Sequence, residues 1–454
     1  MQRHSLIFRL GPSDTEPMAW VEPTALHTEV QLTDLTHRIA YGIGDTLDEL
    51  QRLGLSPTEF AIDLLIIASA VYAADKRINR ASEAQDSWTR EIDLHIPVSE
   101  PNEWSACGAY LQQMLQFLTG DFWRLFFRPR HRDFETLVEA SEQLPGLCPT
   151  GVCLFSGGLD SFIGAIDLFE EGQSPLLVSH GWVGNDSKHQ GLCLNILQET
   201  YNEDSVKQLR SRIGFEEGLV PNNAPERSER SRSFLFFSLA ALAASGMQPN
   251  TTIYVPENAL IALNIPLDPL RLGAFSTRTT HPHFLARFNE LLTHYGISAQ
   301  LLNPYRHKTK GEMVAECGNF DLLQDHVAET TSCSSANKGR WKGETPGHCG
   351  HCVPCIIRRA ALLCLADPDP THYTLADLLA KPLNSTRAEG EDIRSFQLAI
   401  RRLNNSIQRA RVLIHQSGPL TDFPNEIETY AQVYLRGMQE VDRLLNGVVT
   451  SPHG

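Results

Sequence analysis

The sequence contains no apolar run long enough to cross a bilayer, which takes about 20 residues. Its most apolar stretch, Phe60 to Ala74, is shorter and carries Asp63. That stretch is expected as a buried helix, and no membrane partner is expected. Basic charge is scarce, with 39 Lys+Arg against 54 Asp+Glu and a formal net charge of -15. Such a chain repels polyanions on average, which disfavours nucleic acid as a partner. Repeats and low-complexity tracts are lacking, which excludes a solenoid or a disordered tail. Met1-Gln2-Arg3-His4 is followed only by the short apolar run Leu6 to Leu10, which is not a secretory pattern. The expectation is a cytoplasmic protein whose ten cysteines stay reduced, so a tight cysteine cluster points to metal before disulfides.

What is present reads as a folding sequence, 42% hydrophobic and 20% charged over 454 residues. At about 150 residues per domain, two or three domains are expected. Residues 1–148 mix strand and helix patterns and carry no catalytic motif, which gives an accessory α+β domain. Its clearest helix starts at Ser56-Pro57-Thr58-Glu59, with Ser56 as cap, Pro57 in the first turn and Glu59 closing a capping box. Strands are expected at Ile92 to Val98 and Trp123 to Phe127. Leu144-Pro145-Gly146 and Pro149-Thr150-Gly151 read as a linker. From 149 to 366, short apolar runs alternate with helical patterns. Strands separated by helices mean a doubly wound parallel sheet, the α/β class. Residues 367–454 read as a helical extension, with two amphipathic seams, Phe396 to Ile414 and Ile427 to Leu445.

Two motifs carry chemistry. Ser156-Gly157-Gly158-Leu159-Asp160-Ser161 follows the apolar strand Val152 to Phe155 and opens a helix. Two glycines let backbone approach an anion, and the N–H groups and dipole of a helix start favour negative charge. Ser156 and Ser161 add hydroxyl donors; Asp160 repels bare phosphate and so implies either a magnesium ion or a helix cap. The pattern differs from the Gly-x-x-x-x-Gly-Lys loop of phosphoryl-transfer enzymes. The second motif is Cys349-Gly350-His351-Cys352-Val353-Pro354-Cys355, with Cys333 sixteen residues before Cys349. Four soft ligands suit a closed, tetrahedral, structural zinc site, with His348 or His351 as alternative ligands.

The six-residue loop resembles that of the ATP pyrophosphatase, or PP-loop, superfamily, and the resemblance implies adenylation. A substrate oxygen attacks the α-phosphate of ATP, pyrophosphate leaves into the loop, and a nitrogen or sulfur nucleophile captures the activated carbon. Loop plus cysteine cluster is similar to the 7-cyano-7-deazaguanine synthases, the QueC type, over roughly Gly151 to Leu365. Ser231-Arg232-Ser233-Phe234-Leu235-Phe236 and Lys308-Thr309-Lys310-Gly311-Glu312 match further stretches in order. By position, Arg232 and Lys310 become contacts to phosphate or the adenylate, beside Asp160 in the loop. The implied substrate is a deazapurine carboxylate, 7-carboxy-7-deazaguanine or similar, and the implied cofactors are ATP, Mg2+ and Zn2+. The stretches Ser179 to Gln190 and Thr277-Arg278-Thr279-Thr280-His281 depart from the family's pattern where the acceptor would be chosen. With its outer segments, the chain resembles the long, QueC-like components of bacterial anti-phage operons of the Qat type. That implies an amine acceptor other than ammonia, with a protein partner from the same operon as a candidate to carry it. The alternatives are ammonia-dependent nitrile synthesis and a non-catalytic ATP-binding regulatory subunit.

Overall fold

The apolar run at Phe60 forms part of helix α1 (Glu59–Arg77), which is buried from Ala61 to Asp75. A helix that is apolar all round belongs between two layers, and α1 lies against strand on one side and helix on the other. Its N-cap is Thr58, whose side chain accepts from Ala61 N, not the expected Ser56. The shift leaves Pro57 just outside the helix, where its fixed backbone directs the chain in.

The computed structural model describes residues 2–18, 20–84, 86–137, 149–181, 185–268, 278–334 and 347–453, with the side chains of 185 and 186 left out. The expected linker residues Leu144-Pro145-Gly146 lie outside this set. Thr150 is tied to the sheet region by its N–H to Ser174 O at 3.0 Å.

The first 137 residues build a sheet of β1 (Arg3–Arg9), β2 (Leu26–Gln31), β3 (Glu91–Val98) and β4 (Phe122–Pro129) in the order β2-β1-β3-β4. All three pairings are parallel, which corrects the α+β expectation for this part. Helices intervene between β2 and β3 and between β3 and β4, among them α2 (Gly108–Thr119), and a helical crossover returns the chain in the same direction.

The second sheet has the order β7-β6-β5-β8-β9, all parallel: β5 (Val152–Leu154), β6 (Leu176–His180), β7 (Lys207–Ser211), β8 (Thr251–Tyr254) and β9 (Ala299–Leu302). Between strands run α3 (Leu159–Glu170), α4 (Asn185–Tyr201), α5 (Arg232–Ser245), α6 (Ala259–Leu263) and α7 (Pro282–His294). This is the doubly wound arrangement expected from the alternation. Helices α1 and α5 pack on each other, and one apolar core runs from Leu6 and Phe8 through α1 to Phe234, Phe237 and Phe288. A short helix α8 (Lys310–Ala315) and α9 (Val353–Ala361) follow. The tail forms α10 (Ala388–Leu403), α11 (Ile407–Leu413) and α12 (Ile427–Leu444), with a core shared with α6 and α9. The expected seam Phe396 to Ile414 is thus two helices. Asn404 and Asn405 take positive φ values of 50° and 51° and break it, a conformation asparagine tolerates. Among the described residues, no helix is long and apolar enough to cross a membrane.

Candidate functional site

Strand β5 leads out toward β6 on one side and β8 lies on the other, so the chain reverses its direction of travel across the sheet between β5 and β8. Such a switch point leaves a crevice at the carboxyl ends of the strands. A 430 Å³ cavity lies there, lined by Leu154 at the end of β5, Ser156 and Ser161 of the glycine loop, Val255 to Glu257 after β8, Glu229, Arg232 and the segment Thr331 to Cys333.

The loop is braced from within. Ser156 N donates to Ser161 Oγ at 3.2 Å, Gly158 N to Ser156 Oγ at 3.3 Å, and Ser161 Oγ to Gly158 O at 2.9 Å. Gly157 has φ +75°, and a Cβ there would lie 2.7 Å from Gln190 N, so both its conformation and its closeness to α4 require glycine. Thr331 N donates to Gly157 O at 2.9 Å and ties the loop to the segment that enters the cysteine cluster. Leu159 starts α3 and is wholly buried, anchoring the helix whose first N–H groups have no intrahelical acceptor.

Asp160 does not face open solvent. It is 7% exposed, Lys310 Nζ lies 2.8 Å from its Oδ1, and Asn258 donates to its Oδ2 from Nδ2 at 2.7 Å and from N at 3.2 Å. Lys310, 5% exposed, is the first residue of α8 and no surface charge. Thr309 caps that helix in a capping box with Glu312, and Glu440 of α12 accepts from Thr309 Oγ1 and from Gly311 N at 3.3 Å. Burial alone would raise the Asp160 carboxyl, but the Lys310 ammonium overcomes it and holds Asp160 below the usual range. The neighbouring Glu257 goes the other way: burial, then the Asp160 charge, push its carboxyl well above the usual range. Both effects favour its protonated form, the form that can donate to Asp160. Glu257 lines the cavity, yet no motif marks it in the sequence; its only signal is a charge three residues past the end of β8.

Arg232 is the first residue of α5 and lines the same cavity, with Nη2 donating to His180 O at 3.2 Å and Nη1 3.3 Å from Glu229 Oε2. Of the departing stretch, Thr279 and Thr280 line the cavity. Arg278 instead donates to Phe117 O at 2.7 Å, and His281 caps α7. Thr277 and the side chains of 182–186 lie outside the described residues.

Cys333, Cys349, Cys352 and Cys355 converge, with all four Sγ atoms within 4.8 Å of one another and two pairs at 3.9 Å. Four sulfurs about 2.3 Å from a tetrahedral zinc stand about 3.8 Å apart, so the donor set and spacing fit a closed zinc site. Cys352 N donates to Cys349 Sγ at 3.3 Å and Cys349 N to Cys333 Sγ at 3.4 Å, bonds that stabilise thiolates. His348 is not among these donors; its Nε2 accepts from Ser332 N at 3.1 Å and orients the strap between cluster and loop.

Fold and site define a parallel-sheet α/β protein with a glycine loop at its switch point and a four-cysteine cluster that could hold a metal and reaches the crevice wall through Cys333. Part of this chain is similar to the 7-cyano-7-deazaguanine synthase of Paracoccus denitrificans (strain Pd 1222), 40% identical over 79 residues, or 17% of this chain and 29% of that protein. The match thus spans less than a third of that protein's length. No family model matches the chain, and no solved structure matches it.

Proposed function

We propose that the chain is an ATP-dependent ligase that adenylates a deazapurine carboxylate and passes the acyl group to an amine. The observation that carries this reading is the crevice, where the glycine loop, Arg232 and Glu257 face one 430 Å³ space. The loop amides and α3 dipole suit the departing pyrophosphate, and Arg232 supplies countercharge as the leaving oxygen gains charge. Glu257 and Asp160, with the serine hydroxyls, are hard oxygen donors that fit magnesium. Bound there, the ion would supply charge neutralisation on the phosphates and ionise Glu257. Lys310 is buried against Asp160 and holds that carboxylate anionic. The printed name of the relative supports a deazaguanine substrate. Threonines 279 and 280 in the crevice wall are where a base edge would meet neutral donors and acceptors. The long form, with segments before and after the catalytic sheet, supports a place in a Qat-type anti-phage operon and an acceptor amine on a partner protein from it.

Incubation with ATP and 7-carboxy-7-deazaguanine is expected to release pyrophosphate only when both are present. Arg232→Ala should lower that rate on the order of a hundredfold, the usual cost of removing one donor to developing charge. ATP binding without pyrophosphate release would replace this reading with a regulatory subunit. Efficient release of free nitrile with ammonia would replace the protein acceptor with the chemistry that the relative's name denotes.

A further inference from the structure

Arg232 opens α5, but the turn before it is held from the other sheet's side of the molecule. Asp75, fully buried near the end of α1, accepts from Ser231 N and from Ser231 Oγ, both at 2.9 Å. Its other oxygen is fixed by Arg90 Nη2 at 2.6 Å and Arg80 Nη2 at 3.1 Å. A carboxylate of the N-terminal segment thus fixes Ser231, the N-cap residue of α5, whose own side chain makes no cap bond.

The next residue acts on charge. Lys76 Nζ donates to Glu229 Oε1 at 3.1 Å and to Ser228 O at 3.4 Å, while the other oxygen of Glu229 stands 3.3 Å from Arg232 Nη1. Burial alone would raise the Glu229 carboxyl, but Arg232 and Lys76 hold it below the usual range, so one carboxylate is shared by two cations. Glu229 also lines both the 430 Å³ crevice and a second cavity of 650 Å³, whose wall includes Lys76. An unshared carboxylate against Arg232 would cancel most of the field that an anion in the crevice meets.

We propose that Lys76, although outside the crevice, is a positioning residue for anion binding in it: by drawing Glu229 toward α1 it leaves Arg232 the countercharge a phosphate needs. The inference rests on reading the crevice as an anion site. It assigns the N-terminal segment a direct part in that site, with Asp75 fixing where Arg232 stands and Lys76 setting its effective charge.

The test is calorimetric titration of the full chain with inorganic pyrophosphate. Lys76→Met keeps the aliphatic stem and is expected to raise Kd roughly three- to tenfold, as for loss of one partly exposed charge contact. Lys76→Arg should restore binding. In an Arg232→Met background, Lys76→Met should change Kd less than about twofold, because its effect passes through that guanidinium. Glu229→Gln probes the same relay without touching α1 and should tighten binding roughly threefold. Binding by Lys76→Met at the unmodified level, an undiminished Lys76 effect without Arg232, or weaker binding by Glu229→Gln would each overturn this inference and leave the proposed function standing. An unmodified chain that binds no pyrophosphate overturns the anion-site reading, and this inference with it.

Discussion

Three carboxyls around the crevice are pushed in two directions, Asp160 and Glu229 down and Glu257 up, because each has a different neighbour. Asp160 is buried and faces Lys310, Glu229 is half-buried and shared by two cations, and Glu257, also half-buried, lies beside an anion. The last makes stability depend on pH. A carboxyl raised in the folded state keeps its proton where the unfolded chain has lost it. Folding is therefore favoured below the ordinary glutamate pKa, and stability falls as pH climbs from about 4.3 toward the raised value, by up to about 1.4 kcal/mol per unit. Asp160 has the opposite sign, its contribution being lost only as pH falls through the acid range. Glu257→Gln mimics the protonated acid, keeps a donor for Asp160 and cannot ionise. Urea unfolding across pH 5 to 8 is expected to show a flatter profile for Glu257→Gln than for the unmodified chain, with the gap widening upward. Parallel profiles would mean that Glu257 is ionised in the folded protein.

Among the elements, the strap Thr330 to Cys333 joins the two motifs that the sequence shows separately. Thr331 holds Gly157 O, Cys333 belongs to the cysteine cluster, and the fully buried Arg358 of α9 donates to Thr330 Oγ1 at 2.7 Å and Val327 O at 2.6 Å. Zinc in the cluster would thus stabilise the loop as well as the fold. A site filled at a thousandfold excess over its Kd stabilises by about 4 kcal/mol. Cys352→Ser is expected to lower bound zinc, shift the thermal midpoint down steeply and weaken ATP binding. A variant that stays equally stable and keeps its metal would remove Cys352 from the ligand set. Each motif was legible because glycine and cysteine have few other reasons to recur at such spacing; the strap was not, since Thr330 and Thr331 are ordinary residues placed by tertiary contact. The same limit explains β7, whose Lys207, Gln208 and Arg210 give an edge strand no apolar signature, and the parallel pairing of β1 to β4, which strand patterns alone do not encode. Glu257 and Lys76 went unmarked for that reason too.

At the scale of the whole molecule, the three stretches that composition separates do not have separate cores. Helices α1 and α5 pack together between the two sheets, with Trp104 stacked on Tyr295 at a 3.9 Å centroid distance and Tyr110 donating to Arg287 O at 2.7 Å across the same boundary. From the other end, α12 clamps the Lys310 turn through Glu440, and Arg436 Nη2 donates to His307 O at 3.1 Å. A chain lacking residues 1–137 would expose the face of α5 that α1 covers and remove the Asp75 bonds that hold Ser231 beside Arg232. Such a fragment is expected to keep helical circular dichroism but bind a hydrophobic dye and lose its near-ultraviolet signal, the marks of lost side-chain packing. The full chain, by contrast, should unfold in one calorimetric transition whose van't Hoff and calorimetric enthalpies agree. Two resolved transitions, or a fragment from 149 that melts cooperatively, would show that the N-terminal sheet is an independent attachment. The crevice would then owe its shape to the second sheet and the tail alone, and α1 would have no hold on Arg232.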